Sequence, residues 1–209
     1  MPYVQLVRAA PGWLEPLAAP VLHGSRFAGR PIYFSDVVVR ADRPWRSFDD
    51  LRGRSWAYND PDSHSGYNVT RAALVRRGET RGFFGRVVQS GFHQRSLQMV
   101  ADGEVDASAI DCQVLAIELR ERPDLAARVK VIDALGPATI QPVVAAGRLP
   151  ASLRADLRAA LLALGDDAEA RERLAYGFVE RFAAVTDADY DDIRAMLADC
   201  ERAGFLVLR

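Results

Sequence analysis

Asn59-Asp60-Pro61-Asp62-Ser63-His64-Ser65-Gly66-Tyr67 joins a strand-like run, Ser55 to Tyr58, to a helix-like run, Tyr67 to Arg77. Asp-Pro-Asp forces a turn, because proline fixes its own φ and pushes the preceding residue out of the helical region. Ser63 and Ser65 stand where the helix begins, and Gly66 lets another group approach the backbone closely. The first amides of a helix lack intrahelical partners and lie at the positive end of its dipole. Hydroxyls, amides and dipole together make a socket for an oxyanion. The same residues are also what an ordinary helix cap requires, so this segment alone leaves both readings open.

Two further strand-to-helix junctions carry polar residues. Gln89-Ser90-Gly91-Phe92-His93-Gln94 follows the strand-like Gly85 to Val88. It precedes a helix from Gln94 to Asp102, with Leu97, Val100 and Ala101 on one face. His93 can donate to an anion there, or simply cap and pack locally. Val105 to Cys112 reads as a short buried strand ending in the carboxylate of Asp111, ahead of a helix from Gln113 to Arg122. An acid at the carboxyl end of a strand lies where open α/β sheets bind ligands. It is equally a good N-cap.

This ordered set resembles the phosphate/phosphite/phosphonate-binding component of ABC transporters, a type II periplasmic-binding-protein fold. The matching stretches are Tyr33-Phe34-Ser35-Asp36-Val37-Val38-Val39-Arg40, Ser47 to Arg54, Asp60 to Gly66, Ser90 to His93, Val100 to Ala107 and Ala109-Ile110-Asp111. The resemblance implies an α/β chain of two lobes, each a mainly parallel sheet flanked by helices, closing on a small oxyanion. It implies that Ser63 and Ser65 hold phosphoryl oxygens, with Gly66 and Tyr67 completing that socket. His93 would bind from the neighbouring helix start, Asp111 would face the protonated or aminated end of the ligand, and Tyr33 would line the cleft. His64, counted with the ligand-binding set, stands where the family has a small hydroxyl residue.

A carboxylate at position 111 needs a P–OH or ammonium group to donate to it, which favours hydrogen phosphate, phosphonates or aminoalkylphosphonates over sulfate. The implied role is solute binding for ABC-type uptake, with the transporter's membrane subunits as partners. The same fold also hosts enzymes, dehydratase-like on small carboxylates, and a degenerate interaction module is a third reading. His93 and Asp111 can be drawn as acid and base. No nucleophile with a recognisable partner, no metal set and no cofactor loop accompanies them, so no catalytic residue, metal or cofactor is expected.

The family begins with a strand, a helix and a further strand. Met1-Pro2-Tyr3-Val4-Gln5-Leu6-Val7 looks instead like the middle of that first lobe. The expected organisation is therefore residues 1–39 and 136–209 as a partial lobe 1, and 40–135 as lobe 2 carrying the anion-binding helix starts. A partial lobe leaves an open sheet edge and an uncovered apolar face, for which a homodimer through that lobe, or local refolding of residues 1 to 30, is the expected cover.

Composition fits a folded chain without adding specificity: 49% apolar and 26% charged residues over 209 positions. A net charge of −1 provides no basic footprint for nucleic acid. Lys130 is the only lysine among 27 basic residues, a whole-chain bias of coding composition more than of function. Cys112 and Cys200 have neither metal-ligand nor disulfide-framework spacing. No apolar run is long enough to span a membrane, and no signal-peptide pattern is present. The resemblance implies a periplasmic protein; a genuine start at Met1 would imply a cytoplasmic one.

Along the chain, Pro2 to Val7, Ala18 to Leu22 and Pro31 to Val39 read as strands, and Ser47 caps a one-turn helix ending at Gly53. Residues 55–58, 85–90, 106–110 and 129–133 alternate as strands with helices at 66–77, 94–102 and 113–121, which argues for a mainly parallel sheet. Thr139 to Ala146 returns to the first lobe. Helices follow at Pro150 to Leu164, at Asp166 to Phe182 with an interruption near Gly177, and at Asp187 to Ala203. The acids Asp191, Asp192 and Asp199 read as a solvated face.

Overall fold

The structure, a computed structural model, describes residues 2–208. In chain order it contains α1 (Pro2–Ala9), β1 (Leu14–Leu22), β2 (Ile32–Arg40) and β3 (Ser55–Tyr58). A π-helical turn (His64–Asn68) then leads into α2 (Val69–Arg76), followed by β4 (Arg86–Gln89), α3 (His93–Asp102) and β5 (Ala107–Asp111). Next come α4 (Cys112–Glu121), α5 (Pro123–Ala126), β6 (Val129–Thr139), β7 (Val143–Ala146), α6 (Ala151–Ala163) and α7 (Ala168–Tyr176). The chain closes with β8 (Val179–Ala184) and α8 (Asp191–Arg202). Short 3-10 turns lie at Ser25–Phe27, Phe48–Leu51 and Asp187–Tyr190. Two compact units result, one of residues 1–33 with 138–194 and one of residues 34–137 with 195–209.

The second unit is built on a five-stranded sheet in the order β4-β3-β5-β2-β6. β3 runs parallel to both β4 and β5, and β2 pairs antiparallel with β5. Val38, Ala57, Leu97, Val100, Ile110, Leu115 and Leu125 form one buried cluster with fractional exposures of 3% or less. On helix α3 the spacing Leu97–Val100–Ala101 puts all three on the face turned to the sheet. An aromatic group is a second element of this core. Trp56 stacks on Phe84 with centroids 4.6 Å apart, and Phe48 stacks on Phe83 at 5.3 Å. Ser47 and Asp50 close a capping box on the turn that delivers Phe48. Its carboxylate accepts from the amides of Arg46 and Ser47, which holds the Asp50 pKa below the usual carboxylate range.

The first unit holds a three-stranded sheet, β7-β1-β8, antiparallel throughout. β7 and β8 both run antiparallel to β1 and hence parallel to each other, and α6 and α7 make the crossover between them. Its central strand is buried from Leu17 to Ala19, while edge strand β7 exposes Val143 and Val144. Neither α6 nor α7 has a fully buried residue. Thr186 and Asp189 form a second capping box, at the turn before α8.

Three expectations are corrected. Residues 2–9 form helix α1 rather than a strand. Proline suits the first helical position, and the helix buries Val4 while Tyr3 packs on Tyr190, with centroids 4.8 Å apart. Residues 179–184 form strand β8 rather than the end of a helix. Gly177 ends α7, Phe178 takes a left-handed φ of 58°, and the chain turns back to pair with β1. Lastly, residues 195–209 group with the second unit rather than with residues 1–33. Phe205 and Leu208 are buried there, and the Leu208 amide donates to the Tyr67 hydroxyl at 3.0 Å.

Candidate functional site

Because β3, β4 and β5 are parallel neighbours, their carboxyl ends lie at one end of the sheet. Each is followed directly by a helix start: the turn at 64–68 after β3, α3 after β4, and α4 after β5. Three positive helix ends thus face the same edge, which is where open α/β sheets take their ligands. Backbone bonds lock the first two junctions together. The Ser90 amide donates to the Tyr58 carbonyl at 2.8 Å, and the Gly91 amide to the Asn59 carbonyl at 2.9 Å.

Ser63 is the cap of the first junction. Its hydroxyl accepts from the Gly66 amide at 3.1 Å, while its carbonyl accepts from the Asn68 amide at 3.1 Å. That second bond spans five residues, so the opening turn is wider than an α turn. Such π-type turns concentrate at functional sites. Ser65 points to the second junction: its Oγ lies 2.8 Å from His93 Nε2. Gly66 is wedged between the two junctions. A Cβ there would stand 1.9 Å from Asn59 Oδ1 and 3.3 Å from His93 Cε1. Tyr67 is buried, tilts against Tyr58 at 4.7 Å between centroids, and accepts from the Leu208 amide.

His93 is half-buried, and burial pushes its imidazole down to about 4, so it is neutral near pH 7. Its Nδ1 and the Oδ1 of Asn59 are both buried and make no hydrogen bond among the described residues. His64 is placed differently. It is 4% exposed, its Nδ1 lies 3.3 Å from Asn68 Nδ2, and burial pushes its pKa down to about 3. Asp111 is buried, and its carboxylate accepts from the amides of Gln113 at 2.9 Å and Val114 at 3.3 Å, capping α4. Tyr33 is buried on β2 and belongs to the first unit.

Ser63, Ser65, Gly66 and His93 are therefore brought together, while His64 packs inward on its own turn. Sequence reasoning did not assign Asn59. Its position, an amide side chain directly after β3 and ahead of a helix-start glycine, was the available signal. Among the described residues no cluster of three or more His, Cys, Asp or Glu side chains is placed to hold a metal. A hollow of about 460 Å³ lies in the first unit, beside Glu15, Arg154 and Arg158. Its arginines pair with Glu15 and with the carbonyls of Leu17 and Gly147, so it offers no free cationic fork.

The sequence profile of a family described as "ABC transporter, phosphonate, periplasmic substrate-binding protein" matches residues 1–190. Among solved structures, a binding protein component of an ABC phosphonate transporter from Pseudomonas aeruginosa is similar, with a TM-score of 0.78 at 23% identity. The match covers 92% of this chain and 64% of that one, so the chain spans just under two thirds of that relative's length. PhnD1 from Prochlorococcus marinus, solved in complex with methylphosphonate, matches with a TM-score of 0.80 at 18% identity over 97% of this chain and 75% of that one. A Xanthomonas citri protein bound to ATP matches at 0.68 and 19% identity, over 98% and 77% of the two chains. At these identities the structural likeness establishes the type II periplasmic-binding-protein fold.

Proposed function

This chain belongs to the family of phosphonate-binding periplasmic components of ABC transporters, and we propose that it captures a small phosphorus oxyanion, phosphate or a phosphonate, for such an uptake system. The observation that carries the reading is the 2.8 Å contact between Ser65 Oγ and His93 Nε2. It joins two helix starts into one polar surface. With the proton on Nε2, the imidazole donates to Ser65 Oγ and leaves the serine hydroxyl free to donate to a ligand oxygen. The negative charge of the ligand makes each such bond charge-assisted, and the helix dipoles at the same edge add to it.

Asp111 sets the choice among anions in this reading. A carboxylate facing a fully ionised oxyanion leaves two negative groups in contact, and a P–OH or ammonium group relieves that by donating. The family's part is binding for transport, and no catalytic step is assigned to this chain.

Thermal shift and calorimetry with phosphate, methylphosphonate and aminoethylphosphonate test the proposal. A ligand at a hundred times its Kd stabilises the fold by ~2.7 kcal/mol. No shift with any of the three at millimolar concentration defeats it. Asp111→Asn retains a good N-cap residue. It should raise sulfate affinity relative to phosphate; an unchanged ratio removes the discriminating role from Asp111.

A further inference from the structure

The turn at 64–68 is held from behind by a network centred on Arg71, a residue that takes no part in the ligand contacts described above. Arg71, on α2, is 5% exposed. Its Nη2 donates to Asn68 Oδ1 at 2.9 Å, and Asn68 Nδ2 in turn lies 3.3 Å from His64 Nδ1. Its Nη1 donates to the carbonyls of Leu206 at 2.7 Å and Phe205 at 3.3 Å. The guanidinium also sits over the Tyr67 ring, 4.9 Å from the centroid, and the Tyr67 hydroxyl accepts from the Leu208 amide. One buried fork thus touches the C-terminal segment, the ring of Tyr67 and the side chain of Asn68.

We infer that Arg71 is a positioning residue for the Ser65–His93 pair: by clamping residues 205–208 onto the turn at 64–68, it fixes the widened π geometry that aims Ser65 at His93. The anion-binding role of that pair rests on the function proposed above. The clamp has a physical reason to exist. A π turn is intrinsically less favoured than an α turn and persists where its surroundings hold it. Asn68 and Tyr67 are two of its five residues, and both are gripped by the same guanidinium. A rigid planar fork aims two separate nitrogens at two partners, whereas a lysine offers all its donors from one nitrogen on a flexible stem.

The test needs no ligand. In the unliganded protein, the His93 ring nitrogens report the Ser65 contact through their 15N chemical shifts. Arg71→Lys keeps the charge but has one nitrogen where the fork has two, so it cannot reproduce the contacts of Nη1 to the tail carbonyls and of Nη2 to Asn68 together. It should move the His93 Nε2 signal, and Arg71→Met or a chain ending at Gly204 should move it further. Folded Arg71→Lys whose His93 ring signals superimpose on those of the parent chain overturns the inference, even if the other two variants fail to fold. Methylphosphonate titration of the same samples separates the two ideas. A parent chain that binds no anion defeats the proposed function, while the ring shifts still decide the clamp. Where the parent chain binds, Arg71→Lys should weaken binding by about tenfold at a temperature well below its melting transition; unaltered binding counts against the clamp.

Discussion

The two units solve the same packing problem to different degrees. In the second, helices α3 and α4 press Leu97, Val100 and Leu115 against the sheet until exposures fall to 3% or below. In the first, α6 lies along the sheet with Leu153 still 42% and Leu157 40% exposed. Burial of apolar surface is what stabilises a layered α/β unit. The unit that carries the candidate anion residues therefore has a closed core of its own. The other keeps apolar side chains of α6 and β7 in contact with solvent, a surface of the kind that partners cover.

Core truncation should break this comparison if it is wrong. Leu97→Ala in the second unit should cost about 2–5 kcal/mol, whereas Leu153→Ala in the first should cost under about 1 kcal/mol. Denaturant melts of both variants measure the gap, and equal losses would mean that the exposed face of α6 is covered in solution. Light scattering of the parent chain then distinguishes a dimer from a monomer.

Acid should act next most strongly, and on the second unit. His64 and His93 have native pKa values pushed by burial to about 3 and about 4, below the ordinary histidine value of 6.5. The unfolded chain therefore binds more protons than the native one between pH 6.5 and 3. Stability is full above pH 6.5 and falls as the pH drops through that window, by on the order of a few kcal/mol. His64→Asn should flatten the slope in a series of melts from pH 7 to 4; an unchanged slope would remove His64 from the account.

Smaller effects sharpen the comparison by being alike in both units. Ser47→Ala and Thr186→Ala each remove half of a capping box, one per unit, and each should cost ~1 kcal/mol. Caps act locally, so a large difference between them would show that one turn is coupled to more than its own helix. The exposed pair Arg173–Glu169, four residues apart on α7, sets the floor. Glu169→Gln should change stability by no more than ~0.5 kcal/mol and less in high salt.

The contrast also governs how much was legible in the sequence. In the second unit, short apolar runs alternate with amphipathic stretches, and β3, β4, β5, α3 and α4 lie within a residue or two of where periodicity puts them. In the first, local pattern and final structure disagree. Pro2 to Ala9 carries two valines and a tyrosine, good strand formers, yet the packing of Tyr3 on Tyr190 selects a helix. Val179 to Ala184 continues an alanine-rich helical pattern, yet pairing with β1 selects a strand. The polar junction residues could be named from their order, because strand ends and helix caps have local signatures. The contact between Ser65 and His93 could not, since it depends on the parallel pairing of β3 with β4. Arg71 was hidden for a similar reason. An arginine beside Ala72, Ala73 and Leu74 marks a charge on a buried helical face, but two of its acceptors, the carbonyls of Phe205 and Leu206, lie more than 130 positions further along the chain.

The clamp on the turn at 64–68 has a consequence for the order of events during synthesis. Tyr67 and Leu208 are 141 positions apart. At ribosomal speeds of about 5–20 residues per second, that separation is roughly 7 to 30 s of elongation. Throughout that interval the turn is already outside or leaving the ribosome while the segment that grips it does not yet exist. Strands β3, β4 and β5 can pair and the core around Leu97 can close in the meantime. A nascent chain would thus acquire its scaffold first and the finished turn at 64–68 only when residues 205–208 arrive.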